Sequence, residues 1–170
     1  MRPEAPCLLV ASPTLLDPNF LHAVVLVVEH DEDGALGIVL NRPLPLTLAQ
    51  VASEGAMAFA GSEDATAWRG GPVDPQRGIL LVRGGLPEEA DTVVDFSHFV
   101  SHRKDLLEDL LGAPGESYRL FLGYAGWSAG QLDQELEEGS WTRLPVVSEW
   151  LLHPDPTSLW PRAVAAGNDL

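Results

Sequence analysis

Residues 22–43, HAVVLVVEHDEDGALGIVLNRP, restrict the fold more than any other part of the chain. The run from Ala23 to Val28 is apolar and valine-rich, and it is too short for a core helix. Its β-branched side chains suit a pleated strand buried on both faces. The acidic tetrapeptide Asp31-Glu32-Asp33-Gly34 follows, and then a second β-rich run begins. Two such runs around a short, Gly-terminated polar loop predict a β-hairpin.

Other segments extend this pattern. CLLVA (7–11) predicts a short buried strand that stops at Ser12-Pro13, and Asp17-Pro18 opens a turn. Further strands are expected at WRGGPV (68–73), RGILLVRG (77–84), DTVVDFSHFV (91–100), SYRLFLGYA (117–125) and WTRLPVVS (141–148). The 68–73 and 77–84 strands are expected to pair across Asp74-Pro75-Gln76. Helices are expected after a Thr47 cap to about Ser53, after a Ser101 cap to Gly112, over 128–139, and in the tail PTSLWPRAVAAG. Pro161 in that tail requires either a first-turn position or a kink. With no repeat or linker, residues 1–170 predict one compact α+β or α/β domain. Its core would be a mostly β sheet, open or barrel-like, with about six to eight strands and three or four flanking helices.

Charge narrows the partners. The 170 residues carry 25 acidic and 10 basic side chains, a formal net charge of −15. Lys104 is the lone lysine, and Arg103-Lys104 is the longest cationic run. Nucleic-acid binding requires several phosphates to be neutralised together, so direct binding is not expected, and an acidic membrane surface would repel the chain. No apolar run approaches the roughly 20 residues of a membrane span, and a cytoplasmic protein is expected. Cys7 is the only cysteine, which excludes an intrachain disulfide and a cysteine-based zinc site.

Gly126-Trp127-Ser128-Ala129-Gly130 fits the G-x-S-x-G nucleophile elbow. A hydrolase of that type places its acid and then its histidine on later strands or loops. Only 42 residues follow Ser128, with one histidine, His153. Ser128 and Gln131 instead match an S-x-x-Q capping box at a helix start, so Ser128 is read as a cap. His98 and His102 have the spacing of two ligands on one helix face, but His98 precedes the expected cap. The acidic loop after His30 lacks the length of a calcium loop. No metal or cofactor is therefore assigned. Tyr124, Trp127 and Trp141 gather around one strand–helix–strand unit and could form core packing or a concave ligand site.

Three stretches carry a family resemblance: LLVASPTLLDPNFLHAVVLVVEHDEDGALGIVLNRP (8–43), RGGPV (69–73) and FLGYAGWSAGQLDQELEEGSW (121–141). Together they resemble, in family order, the YqgE/AlgH family of small bacterial proteins, also found in plants. The resemblance implies a single α/β or α+β domain with a largely β core and flanking helices. It also implies the label of transcriptional regulator, which rests on a genetic link to alginate production. In relatives the Ser128 position is often Gly, which a cap tolerates and a nucleophile does not. Ala23 stands where relatives often have Ser, and GILLVR replaces a stretch that commonly ends in His, so polar roles there are not carried over.

These readings converge on a regulatory or binding module without catalysis of its own, acting through a small molecule or a protein. Its site is expected where Asn41-Arg42-Pro43, Gly70-Gly71-Pro72 and the Tyr124–Gln131 turn meet. Arg42 would anchor an anion, Tyr124 and Trp127 would offer aromatic faces, and Gln131 would add a polar contact. The alternative is an enzyme of unrecognised type using His30, Arg42 and Tyr124.

Overall fold

A computed structural model describes residues 5–84, 91–113 and 117–168. Among these, ten strands and five helices form one α+β domain. The strands are β1 (Cys7–Ala11), β2 (Val24–Asp31), β3 (Gly34–Val39), β4 (Pro43–Thr47), β5 (Thr66–Arg69), β6 (Val73–Arg83), β7 (Thr92–Asp95), β8 (His98–Ser101), β9 (Ser117–Ser128) and β10 (Trp141–Leu144). The helices are α1 (Leu48–Glu54), α2 (Lys104–Leu111), α3 (Gln131–Glu137), α4 (Ser148–Leu151) and α5 (Pro156–Asn168). Both counts exceed the sequence expectation because four-residue strands carry little periodicity of their own.

The predicted hairpin forms. β2 and β3 pair antiparallel, with Asp31 opposite Gly34 and Val25 opposite Val39. The valine-rich run is continuous because both of its faces are covered. Val24, Leu26 and Val28 enter one cluster, whereas Val25 and Val27 enter another. Burying each such side chain contributes roughly 1.5–3 kcal/mol.

The sheet runs β10-β1-β2-β3-β9-β6-β8-β7 and does not close, with β4 and β5 set beside β9. Every pairing is antiparallel except β5 with β9. The sheet supplies three cores. The inner one gathers Leu8, Leu26 and Ile38 from one half with Ile79, Leu81 and Phe121 from the other, and Leu151, Leu159 and Ala163 of α4 and α5 cover it. On the outer face, Leu132 of α3 covers the first half, together with Trp127 and Trp141. Leu48 and Ala52 of α1 and Leu110 and Leu111 of α2 cover the second.

β9 belongs to both halves. Its C-terminal part pairs with β3 (Gly37 opposite Ala125), and its N-terminal part pairs with β6 (Leu80 opposite Leu120). Between them Gly123 adopts φ +80°, and β6 makes a long bulge there, with Val73 opposite Tyr124 and Gly78 opposite Leu122. Asp74-Pro75-Gln76 is thus an excursion within β6, and the expected pairing of the 68–73 strand with the 77–84 strand does not form. β5 pairs with β4 and β9 instead.

Several local expectations need correction. Thr47 caps α1 through a complete capping box with Gln50. Ser101, by contrast, is the buried last residue of β8. α2 starts at Lys104 with Arg103 as its cap, and Ser101 Oγ accepts from the Arg103 amide at 3.2 Å. DTVVDFSHFV folds as two strands joined at Phe96-Ser97. The strand expected over 141–148 stops at Leu144, before Pro145, and Ser148 opens α4. Pro161 lies in the second turn of α5, where it lacks the N–H that would reach the Thr157 carbonyl.

Candidate functional site

Backbone contacts bring the three stretches together. The Arg69 amide donates to the Arg42 carbonyl at 2.7 Å, and Pro43 lies opposite Trp68. The Val39 amide donates to the Gly70 carbonyl at 2.8 Å, and the Gly70 amide donates to the Leu122 carbonyl at 2.9 Å. A Cβ on Gly70 would lie 2.2 Å from the Gly123 carbonyl oxygen, and one on Gly71 would lie 2.1 Å from the Tyr124 carbonyl carbon. Such approaches admit only glycine. Segments 42–43, 69–71 and 122–125 are therefore stacked in three adjacent layers of backbone.

Their side chains diverge from this common frame. Asn41 Oδ1 accepts from the Val24 amide at 3.1 Å, and its Nδ2 donates to the His22 carbonyl at 2.9 Å, adding a side-chain rung beyond the end of the hairpin. Arg42 donates through Nη1 to the Pro18 carbonyl at 3.2 Å and through Nη2 to the Leu21 carbonyl at 2.5 Å. It thereby ties the 17–22 loop to the strand end, and burial lowers its pKa from the usual guanidinium value. Arg42, Arg69, Gly71, Pro72, Val39 and Asn19 line a cavity of about 160 Å3. The Arg69 guanidinium is half-buried and makes no hydrogen bond or ion pair among the described residues. Pro43 and Pro72 are exposed beside this cleft.

The turn after Tyr124 contributes backbone to this arrangement, while its side chains serve elsewhere. Tyr124 packs against the inner core, with the Arg77 guanidinium carbon 5.9 Å from its ring centroid. Trp127 lies on the opposite face, 6 % exposed, where it packs at 6.1 Å on Phe20 and at 6.0 Å edge-on to Trp141. The indole N–H groups of Trp127 and Trp141 both donate to Glu135 Oε1, at 3.2 and 2.9 Å. Gln131 Nε2 donates to Glu135 Oε2 at 2.8 Å, so this network packs α3 onto the sheet.

Ser128 is the last residue of β9, not a helix cap. Its amide and hydroxyl both donate to Gln131 Oε1, at 3.0 and 3.1 Å, so only the glutamine half of the expected box exists. Gly130, with φ +74°, occupies the cap position of α3. The cavity beside Arg42 is lined by neither His30 nor Tyr124. His30 sits near the far, closed end of the hairpin, its Nε2 3.3 Å from Asp133 Oδ1 and its Nδ1 buried without a partner. His98 is buried on β8, while His102 is exposed after it. No group of three or more His, Cys, Asp or Glu side chains able to hold a metal occurs among the described residues. No helix among them is long and apolar enough to cross a membrane.

Sequence reasoning missed Arg69 and Asn19 as lining residues. Arg69 carried one usable signal, a cation placed immediately before Gly-Gly-Pro, where side chain and bare backbone can face one ligand.

Comparison with known proteins agrees with this architecture. The AlgH-like family model matches residues 8–168. A UPF0301 protein of Myxococcus xanthus is 41% identical over 161 residues, covering 94% of this chain and 88% of the relative. One from Streptomyces avermitilis is 40% identical over 166 residues, covering 90% and 81%. The solution structure of the AlgH protein from Pseudomonas aeruginosa superposes with a TM-score of 0.78 at 32% identity, covering 100% of this chain and 94% of that one. A crystal structure of a Corynebacterium diphtheriae protein shares the fold, with a TM-score of 0.79 at 23% identity and coverage of 98% and 88%.

Proposed function

The chain belongs to the AlgH-like family, and we propose that it acts as a cytoplasmic regulatory binding module whose ligand is a small carboxylate or phosphate. The supporting observation is the cleft of about 160 Å3 in which Arg69 stands beside Arg42 without a partner among the described residues. In a chain of net charge −15, two guanidinium groups facing one cavity concentrate positive potential locally, and a partner-free guanidinium can meet an oxyanion with two parallel donors. Gly71 lines the same wall.

Arg42 and Arg69 then have different tasks. Arg42 spends two donors on the 17–22 loop and shapes the cleft, whereas Arg69 is available to the ligand. Regulation would follow if ligand occupancy changes how the exposed 17–22, Pro43 and Pro72 rim meets a protein partner. Any effect on transcription would pass through that partner, because the acidic chain is poorly suited to hold nucleic acid.

Isothermal titration with acetate and with inorganic phosphate tests the reading. Arg69→Ala should weaken binding roughly tenfold or more, the worth of a charge-assisted hydrogen bond, with the melting temperature unchanged. Equal affinity in wild type and Arg69→Ala would remove the cleft as the ligand site.

A further inference from the structure

A second arrangement lies away from this cleft, at the β7–β8 hairpin. Asp95 and His98 flank its two-residue turn, and Asp95 Oδ1 lies 2.8 Å from His98 Nδ1. The same oxygen accepts from the Ser97 amide at 2.9 Å, and Ser97 Oγ lies 3.1 Å from His98 Nδ1. Asp95 Oδ2 accepts a hydrogen bond from Ser148 Oγ at the start of α4. Although His98 is 4 % exposed, its Nε2 has no hydrogen-bond partner among the described residues. The imidazole nonetheless retains an opening. The opening is a cavity of about 170 Å3 lined by Arg83, Ser97, His98, Ser148, Glu149 and Leu152.

The chemistry of this arrangement is directional. An ionised carboxylate only accepts, so it holds a ring proton on Nδ1, which in the neutral imidazole leaves Nε2 as the accepting nitrogen. Burial alone would raise the Asp95 carboxyl, but the hydrogen bonds from Ser148, Ser97 and His98 together outweigh it and hold it at about 2, so it stays ionised through the physiological range. A network needed only to staple the hairpin to α4 would be complete with Asp95, Ser97 and Ser148. It would not require an imidazole that opens onto a cavity. Arg83 is the cross-strand neighbour of His98, so both side chains share one face of the sheet. The Arg83 guanidinium makes no ion pair among the described residues, with Glu149 or any other group.

The geometry points to a second ligand site, for a small molecule that carries both an acid group and a hydroxyl, with Arg83 holding the acid and His98 Nε2 accepting the hydroxyl hydrogen bond. Asp95 is the positioning residue that keeps Nε2 in its accepting form. Leu152 provides an apolar wall, and Glu149 on the rim disfavours dianions relative to monoanions. The site shares no lining residue with the Arg42–Arg69 cleft, so either can fail without the other.

Imidazole NMR of the isotope-labelled full-length protein tests this with two probes, glycolate and acetate, which differ in the hydroxyl. In its neutral form His98 should show the Nδ1–H tautomer, and glycolate should shift its ring resonances saturably. Acetate should bind roughly fivefold more weakly, the worth of one neutral hydrogen bond. Arg83→Gln, at an exposed position, should weaken both probes by roughly tenfold. Asp95→Asn should release the tautomer and erase the preference for glycolate while leaving acetate affinity in place. Arg69→Ala should change none of these results. The proposal is overturned if neither probe shifts His98 saturably, if glycolate and acetate bind wild type equally, or if Arg83→Gln leaves both affinities intact. Should Asp95→Asn fail to fold, the wild-type comparison and Arg83→Gln still decide.

Discussion

Gly123 and Gly130 both have left-handed backbone, but only Gly123 lies under another segment. A Cβ on Gly130 would meet nothing within 4 Å, whereas one on Gly123 would lie 2.4 Å from the Gly71 carbonyl oxygen and 3.2 Å from Val73 O. Replacing either by alanine costs about 1–2 kcal/mol for the left-handed conformation. Restricting the unfolded chain returns about 0.4–1 kcal/mol. Gly130→Ala should therefore destabilise by about 0–1.5 kcal/mol. Gly123→Ala adds a clash against backbone, which cannot rotate away as a side chain could, and overpacking of that kind costs about 1–3 kcal/mol. Its total should be about 1–4.5 kcal/mol. Urea unfolding followed by tryptophan fluorescence reads both variants, because Trp127 and Trp141 are buried. The difference between them isolates the contact that brings 69–71 against 122–125. If the two unfolding free energies agree within about 0.5 kcal/mol, within the usual spread of surface substitutions, the close layering beneath the Arg42–Arg69 cleft is refuted.

Three further outcomes are expected. Glu135→Ala should leave the buried Trp127 and Trp141 indole donors without their shared acceptor, costing about 2–4 kcal/mol and altering the native tryptophan emission, which fluorescence-detected unfolding measures. Cys7 is buried and its thiol is pushed up to about 11 by desolvation, so it should resist a disulfide reagent at neutral pH until the domain unfolds; rapid native labelling would contradict its placement in β1. Asp95 has its native pKa depressed to about 2 from 3.8, so its contribution to stability is present above pH 4 and is lost as pH falls from about 4 towards 2. The urea midpoint should fall across that window, and Asp95→Asn should flatten this part of the profile.

The β2–β3 hairpin was legible because its signal is local and the same residues satisfy both faces. The capping box at Thr47 was legible for the same reason. The partner of each later strand was not, since β9 meets β3 about 90 residues earlier in the chain and no periodicity encodes that choice. Asp74-Pro75-Gln76 carries genuine turn chemistry, yet the sheet uses it as a bulge opposite Gly123. Glycines 70 and 71 could be read as close-approach positions, because missing side chains leave a local trace. The roles of Arg42 and Asn41 could not, since their hydrogen-bond partners lie 17 to 24 residues away, on the 17–22 loop and at the start of β2. Tyr124 and Trp127 are three residues apart on one strand, and the irregularity at Gly123 does not alter the fact that they serve opposite faces of it.

The position of β9 in both halves of the sheet also sets a timetable for synthesis. β3, β5 and β6 all emerge from the ribosome before residue 117, and each lacks a neighbour until β9 follows. β1 waits longer still for β10, with Leu8 opposite Leu144. A nascent chain therefore carries unpaired apolar strand edges through most of its translation. Such edges invite association with other chains, and the charge of −15 opposes it by mutual repulsion. The acidity that sets off the two arginine-lined cavities would then also protect the chain while it is being made.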